Sequence, residues 1–156
     1  MKLYLVRHGD AVSEQMGPKR PLSLEGKKDV EKVAQFLKRA DVIVPEIFHS
    51  QKRRAQETAE IIQKTTNPKA KLIEKSFLSP DDPTEKIAYE LSQRKEDLMI
   101  VGHLPHLPRL IARLVLGDES RHIISLDTSY VAAMYRDPNG FWQIVWLVGP
   151  ELIPQK

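Results

Sequence analysis

The chain has 156 residues, 24 Lys and Arg against 21 Asp and Glu, a formal net charge of +3, and no cysteine. Without cysteine there are no disulfides, thiolate zinc sites or thiol nucleophiles. The basic residues are interspersed with acids and only 6% of residues are aromatic, so there is neither a basic tract nor a stacking platform for nucleic acid. No apolar run approaches membrane-spanning length, and the apolar start breaks at Arg7, too soon for a signal peptide; no membrane partner is expected and the cytoplasm is the default location. The length suits one domain over residues 1–156 with a sizeable core.

Apolar runs of strand length alternate with helical periodicity, the pattern of an α/β protein. Lys2 to Val6 predicts a first strand, and its unbroken apolar character predicts cover on both faces. Gly9 to Pro21 reads as a polar loop. Ser23 is a good N-cap with Glu25 in the first turn, and Val30, Val33, Ala34 and Leu37 follow at helical spacing. Glu46 to His49 predicts a second strand. Ser50 is placed to cap the next helix, which carries Ala55, Ala59 and Ile62 as a narrow apolar stripe. A short strand is expected at Lys71 to Glu74. Asp82-Pro83-Thr84-Glu85 has the form of a capping box with proline at the first helical position, followed by Ile87, Ala88 and Leu91. Leu98 to Val101 is the next strand. Leu107, Leu110, Ile111 and Leu114 mark a further core-facing helix that Gly117 would end. Tyr130 to Tyr135 and Phe141 to Val148 flank Asp137-Pro138-Asn139-Gly140, a hairpin signal. The sum predicts a three-layer α/β/α fold around a mostly parallel sheet, with a hairpin at one edge.

Three of these strands stop on polar residues: Arg7-His8-Gly9, His49-Ser50 and Gly102-His103. In open α/β sheets ligands bind just beyond the carboxyl ends of the strands. If these strands are neighbours, two imidazoles, one or two guanidiniums and a helix N-terminus converge, a set suited to a phosphoryl group.

The motifs resemble those of the histidine phosphatase, or phosphoglycerate mutase-like, superfamily. Arg7-His8-Gly9 is similar to its signature and Pro21-Leu22-Ser23-Leu24-Glu25-Gly26 to its loop-to-first-helix segment. Ser50 to Thr58 is similar to its second-helix motif and Gly102-His103 to its second-histidine motif. Their order is the family's, and they run along most of the chain. Arg7 to Ala11, His103-Leu104-Pro105 and the short length look most like the SixA branch, whose members remove phosphoryl groups from phosphohistidine on signalling proteins. The resemblance implies that His8 is the nucleophile of a covalent phosphohistidine intermediate that water hydrolyses. It implies that Arg7, Arg54 and His103 grip the phosphate oxygens, with Ser50 as a phosphate neighbour. Neighbouring arginines would keep His8 neutral. No metal or other cofactor is implied, because the guanidiniums supply the electrostatics. The implied partner is a phosphohistidine-bearing protein, with a monomer favoured.

One departure is informative. Many family members carry a glutamate, before the helix that follows the third strand, which protonates the leaving oxygen. Aligned on Leu78-Ser79-Pro80, that position is Phe77, and Glu74, Asp81 and Asp82 are no clear replacements. Loss of the acid hurts an alkoxide leaving group far more than an imidazole; Asp10 is the alternative proton carrier. Between the Ser50 helix and the Leu98 strand there is material only for one strand and one helix. The site should therefore lie open, favouring hydrolysis on another protein. The competing readings are a phosphatase of small phosphate esters or diphosphates, and a non-catalytic phosphohistidine-binding module. His103-x-x-His106 is a weak metal pattern without supporting carboxylates, and His106 is expected at the helix start or rim. His49 and His122 read as structural or surface residues. Thr128-Ser129 reads equally as turn chemistry or a second approach to the site. Lys19, Arg20, Lys52 and Arg53 read as ordinary surface charge or as a basic rim for a partner.

Overall fold

In a computed structural model of the chain, residues 1–155 are described, and they form the α/β architecture expected. Strands β1 (Lys2–Arg7), β2 (Glu46–His49), β3 (Lys71–Glu74), β4 (Leu98–Gly102), β5 (Val131–Arg136) and β6 (Trp142–Val148) make one sheet in the order β3-β2-β4-β1-β5-β6. The pairs β1–β4, β2–β4 and β2–β3 are parallel; β5 and β6 are antiparallel and close one edge.

Alternation along the strands divides the core in two, because successive side chains point to opposite faces. Tyr4, Val6, Ile47, Met99 and Val101 pack under α1 (Leu24–Arg39) and α2 (Arg53–Thr66), whose stripes of Val30, Val33, Ala34, Leu37, Ala55, Ala59 and Ile62 are all buried. Leu3, Leu5, Phe48, Leu98 and Ile100 face the other way, against Ile87 and Leu91 of α3 (Glu85–Ser92) and Leu107, Leu110 and Ile111 of α4 (His106–Leu116). The unbroken apolar runs of β1 and β4 thus reflect cover on both faces.

The local signals hold at most boundaries. Ser23 Oγ accepts the Gly26 N–H at 2.9 Å and caps α1. Gly117 ends α4 with a left-handed φ of 73°. In the hairpin, Gly140 takes a φ of 90°, and Asp137 Oδ1 accepts the Asn139 and Phe141 N–H groups at 2.9 and 3.0 Å.

Two expectations are corrected. Ser50 does not occupy the cap position of α2: the helix starts later, with Lys52 there and no side-chain cap, while the Ser50 hydroxyl meets His103 and accepts the Lys52 N–H ahead of the helix. Residues 82–85 do not form a capping box. Pro83 precedes the cap residue Thr84, whose hydroxyl instead donates to Glu119 Oε2 at 3.1 Å and accepts from Arg113 Nε at 2.7 Å. Asp82 Oδ2 accepts the Ser79 N–H at 2.8 Å. A tertiary network thus replaces the local one.

The loop that leaves β1 is clamped to α1. A Cβ on Gly9 would meet Val30 Cγ2 at 2.6 Å, and one on Gly26 would be driven into the Asp10 backbone. The latter contact is backbone on both sides and cannot relax by a rotamer change. Gly26→Ala is therefore expected to cost about 1–3 kcal/mol or more. A urea melt should show a lower midpoint with an unchanged slope, whereas an unshifted midpoint would mean that the two segments are not in contact.

Candidate active site

β1 and β4 are parallel neighbours, with Arg7 opposite Gly102, so the residues that follow each strand emerge side by side. The His8 and His103 rings stand 5.0 Å apart between centroids, tilted by 53°. Both are buried, with exposures of 8% and 1%. β2 lies next to β4 and delivers Ser50, whose Oγ meets His103 Nε2 at 2.6 Å and accepts the Lys52 N–H at 3.2 Å. α2 brings Arg54, whose Nε–H points at His8 Nε2 from 3.4 Å. His8, Arg54, His103 and Ser50, far apart in the chain, are thus assembled at one sheet edge.

The orientation of His8 is fixed by its own backbone. Its Nδ1 lies 2.7 Å from the Gly9 carbonyl oxygen. A carbonyl can only accept, so Nδ1 carries the proton and Nε2 holds the free lone pair, on the side of Arg54. The Gly9 N–H donates to Thr58 Oγ1 at 3.0 Å, and the Thr58 hydroxyl donates to the Arg54 carbonyl at 2.8 Å. One threonine thus ties the His8 loop to the helix turn that carries Arg54.

Arg7 is held from the other side. β5 runs antiparallel to β1, so the segment entering β5 lies beside the carboxyl end of β1. Arg7 Nη1 donates to the Leu126 carbonyl at 2.9 Å. The Ser129 N–H is shared between the Arg7 and His8 carbonyls at 3.1 and 3.2 Å. Ser129 is buried and takes a left-handed φ of 66°, a strained state for a non-glycine residue. Of Thr128-Ser129, Ser129 therefore does reach the site, through its backbone N–H.

The charges around the two rings share one sign. Burial, and then Arg54, Arg7 and Arg20, push the His8 pKa down to about 4, against the opposing hydrogen bond to Gly9. Burial, followed by His8, Arg54, Lys52 and His106, lowers that of His103 to about 3. Burial outweighs the arginines as the cause of neutrality, contrary to the emphasis drawn from the motifs. No carboxylate figures among these influences.

Of the candidate acids, Asp10 is exposed and takes the Ser23 hydroxyl at 2.7 Å at the start of α1. Phe77 packs at the edge of the second core with Lys75 Nζ 5.7 Å from its ring centre. His106 starts α4 as expected, but it is fully buried and not a rim contact. His49 is buried, with Nδ1 2.9 Å from the Ser50 carbonyl, and His122 is exposed.

Arg20 is the residue that sequence reasoning undervalued. It has a left-handed φ of 49°, its Nε donates to the Val12 carbonyl at 3.1 Å, and its charge acts on both His8 and Arg54. An arginine in a polar loop carries no local mark that separates it from surface charge.

With this geometry in hand, comparison with known proteins is direct. The model of the histidine phosphatase superfamily (branch 1) matches residues 3–97. The chain belongs to this superfamily. A curated relative, the phosphohistidine phosphatase SixA of Escherichia coli strain K12, is 24% identical over 155 residues, covering 96% of this chain and 94% of that protein. A solved structure of the protein histidine phosphatase SixA complexed with tungstate superposes with a TM-score of 0.88 at 23% identity. It covers 99% of this chain and 100% of the other. The alpha-ribazole phosphatase of Shigella flexneri also shares the fold, with a TM-score of 0.80 at 19% identity, covering 96% and 97% of the two chains. At these identities the solved structures establish the superfamily's fold and leave the substrate to be argued from the site.

Two outcomes follow. Titration of the His8 ring by NMR in the free protein should show a midpoint near 4; a midpoint near the ordinary value of about 6.5 would contradict the buried, cation-flanked environment. Because the unfolded chain takes up this proton at a higher pH than the folded one, stability should fall as pH drops from about 6.5 towards 4. Separately, Thr58→Val leaves the Gly9 N–H buried without its acceptor and should cost about 1–3 kcal/mol. Denaturant melts of the two proteins measure that difference.

Proposed function

We propose that this superfamily member is a metal-independent phosphatase of protein phosphohistidine, acting through a covalent phosphohistidine on His8. The observation that carries the reading is the pairing of a His8 Nε2 lone pair with the guanidiniums of Arg54, Arg7 and Arg20, while the neighbouring carboxylate, Asp127, acts on Arg7 and on neither ring. The nucleophile is supplied, the phosphoryl charge is matched, and no acid stands ready for a basic leaving group.

The chemistry balances with the residues present. The His8 Nε2 lone pair attacks phosphorus in line with the donor's P–N bond. That bond breaks, and its electron pair leaves with the donor imidazole. A donor ring already protonated on its other nitrogen departs as neutral imidazole, so the enzyme need supply no proton. His8 becomes an N-phosphoryl imidazolium whose Nδ1–H stays on the Gly9 carbonyl. Water then attacks phosphorus, the P–Nε2 bond breaks, phosphate is released, and His8 returns as the same neutral tautomer. Both half-reactions expel an imidazole that keeps its distal proton. An alkyl phosphate ester would instead expel an alkoxide, which demands an acid.

Arg7, Arg54 and His103 are the groups to cradle the phosphoryl oxygens and offset the charge of the transition state, with Ser50 orienting His103. Access fits a protein substrate. Between α2 and β4 the chain builds only β3 and α3, so little material covers the sheet edge.

The test is to incubate the protein with a 32P-phosphohistidine protein and quench in base, where phosphohistidine survives. The wild type should retain label and His8→Ala none; label that survives in His8→Ala would contradict the proposal. Arg54→Ala should lower kcat by about 10²–10³. Turnover of phosphohistidine should exceed that of sugar and nucleotide monophosphates, and the reverse order would favour a small-ester phosphatase.

A further inference from the structure

Beside the catalytic cluster lies a groove of about 500 Å³ that the phosphoryl chemistry shares only at Arg54. It runs between the loop after β1 and the start of α2. Five basic side chains line it, Lys19, Arg20, Lys52, Arg53 and Arg54, against a single acid, Glu14. Lys19, Lys52 and Arg53 are exposed, and Arg54 joins the groove to the His8 pocket. The ion pairs among the described residues lie elsewhere, on Lys75, Arg94, Arg109 and Arg113, so none of these five cations is ion-paired among the described residues.

Their placement opposes stability. A helix N-terminus carries partial positive charge and favours acids in its first turn. α1 follows that rule, with Glu25 at its start and Lys38 and Arg39 at its end. α2 inverts it: Lys52 sits at the cap, Arg53 and Arg54 follow, and the first turn holds no acid. Of these five, only Arg54 belongs to the cradle for a single phosphoryl group. The surplus positive potential, continued across the groove by Lys19 and Arg20, is matched by an anion larger than phosphate. The lining also bears on what that anion is. It contains no aromatic ring and only Pro18 as an apolar residue, so nothing there would stack a base or cover a sugar. Spread, exposed cations without an organic pocket match several carboxylates on a protein surface.

Resting on the phosphohistidine reading above, we propose that this groove docks an acidic segment of the substrate protein, next to its phosphohistidine, and so selects donors by the charge that flanks the reacting residue. The groove acts on encounter and orientation, through long-range attraction that salt screens. The reacting atoms remain those around His8.

The test uses two synthetic peptides with one central phosphohistidine, made with phosphoramidate. One is flanked by Asp and Glu, the other by Ser and Gln at the same positions. The acidic peptide should have a kcat/KM about tenfold higher at low salt, an advantage that shrinks steeply as ionic strength rises. The double variant Lys19→Glu/Arg53→Glu should abolish or reverse the preference while hydrolysing free phosphohistidine at the wild-type rate. Equal turnover of the two peptides by the wild type, or equal loss on both peptides and on free phosphohistidine in the variant, overturns the docking role. ADP turned over faster than the acidic peptide, and lost in the variant, would put a small polyanion in the groove instead. If no phosphohistidine is hydrolysed, the catalytic reading fails separately. Fluorescence anisotropy with the unphosphorylated acidic peptide then decides the groove: weaker binding by the double variant supports it, and unchanged binding overturns it.

Discussion

The hydrogen bond from His8 Nδ1 to the carbonyl of the next residue is the constraint on which the site turns. It selects one tautomer, leaves the lone pair on the nitrogen that Arg54 addresses, and keeps the ring from rotating. It depends in turn on the loop's position. Gly9 lies close under α1, its N–H is taken by Thr58 on α2, and its neighbour Asp10 presses on Gly26. A one-residue interaction is thus secured by both helices of one layer. The ring stays neutral chiefly because it is buried, and burial follows from the packing of those helices.

The remaining parts of the site come from the sheet. Parallel pairing of β1, β4 and β2 sets Arg7, His103 and Ser50 at one edge, and antiparallel β5 returns the Ser129 backbone to the same place. Strand order therefore brings the Ser50 hydroxyl to the second imidazole. The loop that supplies the Leu126 carbonyl to Arg7 is anchored on its far side by Glu119, which takes Arg109, Arg113 and Thr84. That network occupies the place where a helix cap was expected, and it shows a local signal yielding to a long-range one.

The fold was largely legible because its signals are local: continuous apolar runs for buried strands, a 3.6-residue stripe on each helix, and Asn139-Gly140 for the hairpin. His8 and His103 were legible because each ends such a run. Ser50 was named for the right neighbourhood but the wrong bond, since its partner His103 lies 53 residues away and pairing at that distance leaves no local trace. Ser129 acts through its backbone N–H and Arg20 through its charge, neither of which a residue pattern records, whereas Thr58, part of the second-helix motif, acts by its hydroxyl on the backbone of Gly9 and Arg54. The Phe77 substitution was legible as a missing acid. Only the structure reveals that the charges acting on the two rings come from Arg54, Arg7, Arg20 and Lys52 and not from Glu74, Asp81, Asp82 or Asp10.

On the proposed function, the site is an electropositive edge whose nucleophile needs no deprotonation and whose imidazole leaving group needs no acid. A crystal structure soaked with vanadate, which takes up the five-coordinate geometry of phosphoryl transfer, tests that account most directly. The account predicts vanadium bonded to Nε2 of His8, with Arg7, Arg54 and His103 on the equatorial oxygens and the outward apical position open to solvent. Vanadate bound through another residue, or a His8 ring turned so that Nε2 faces away from the anion, would contradict it.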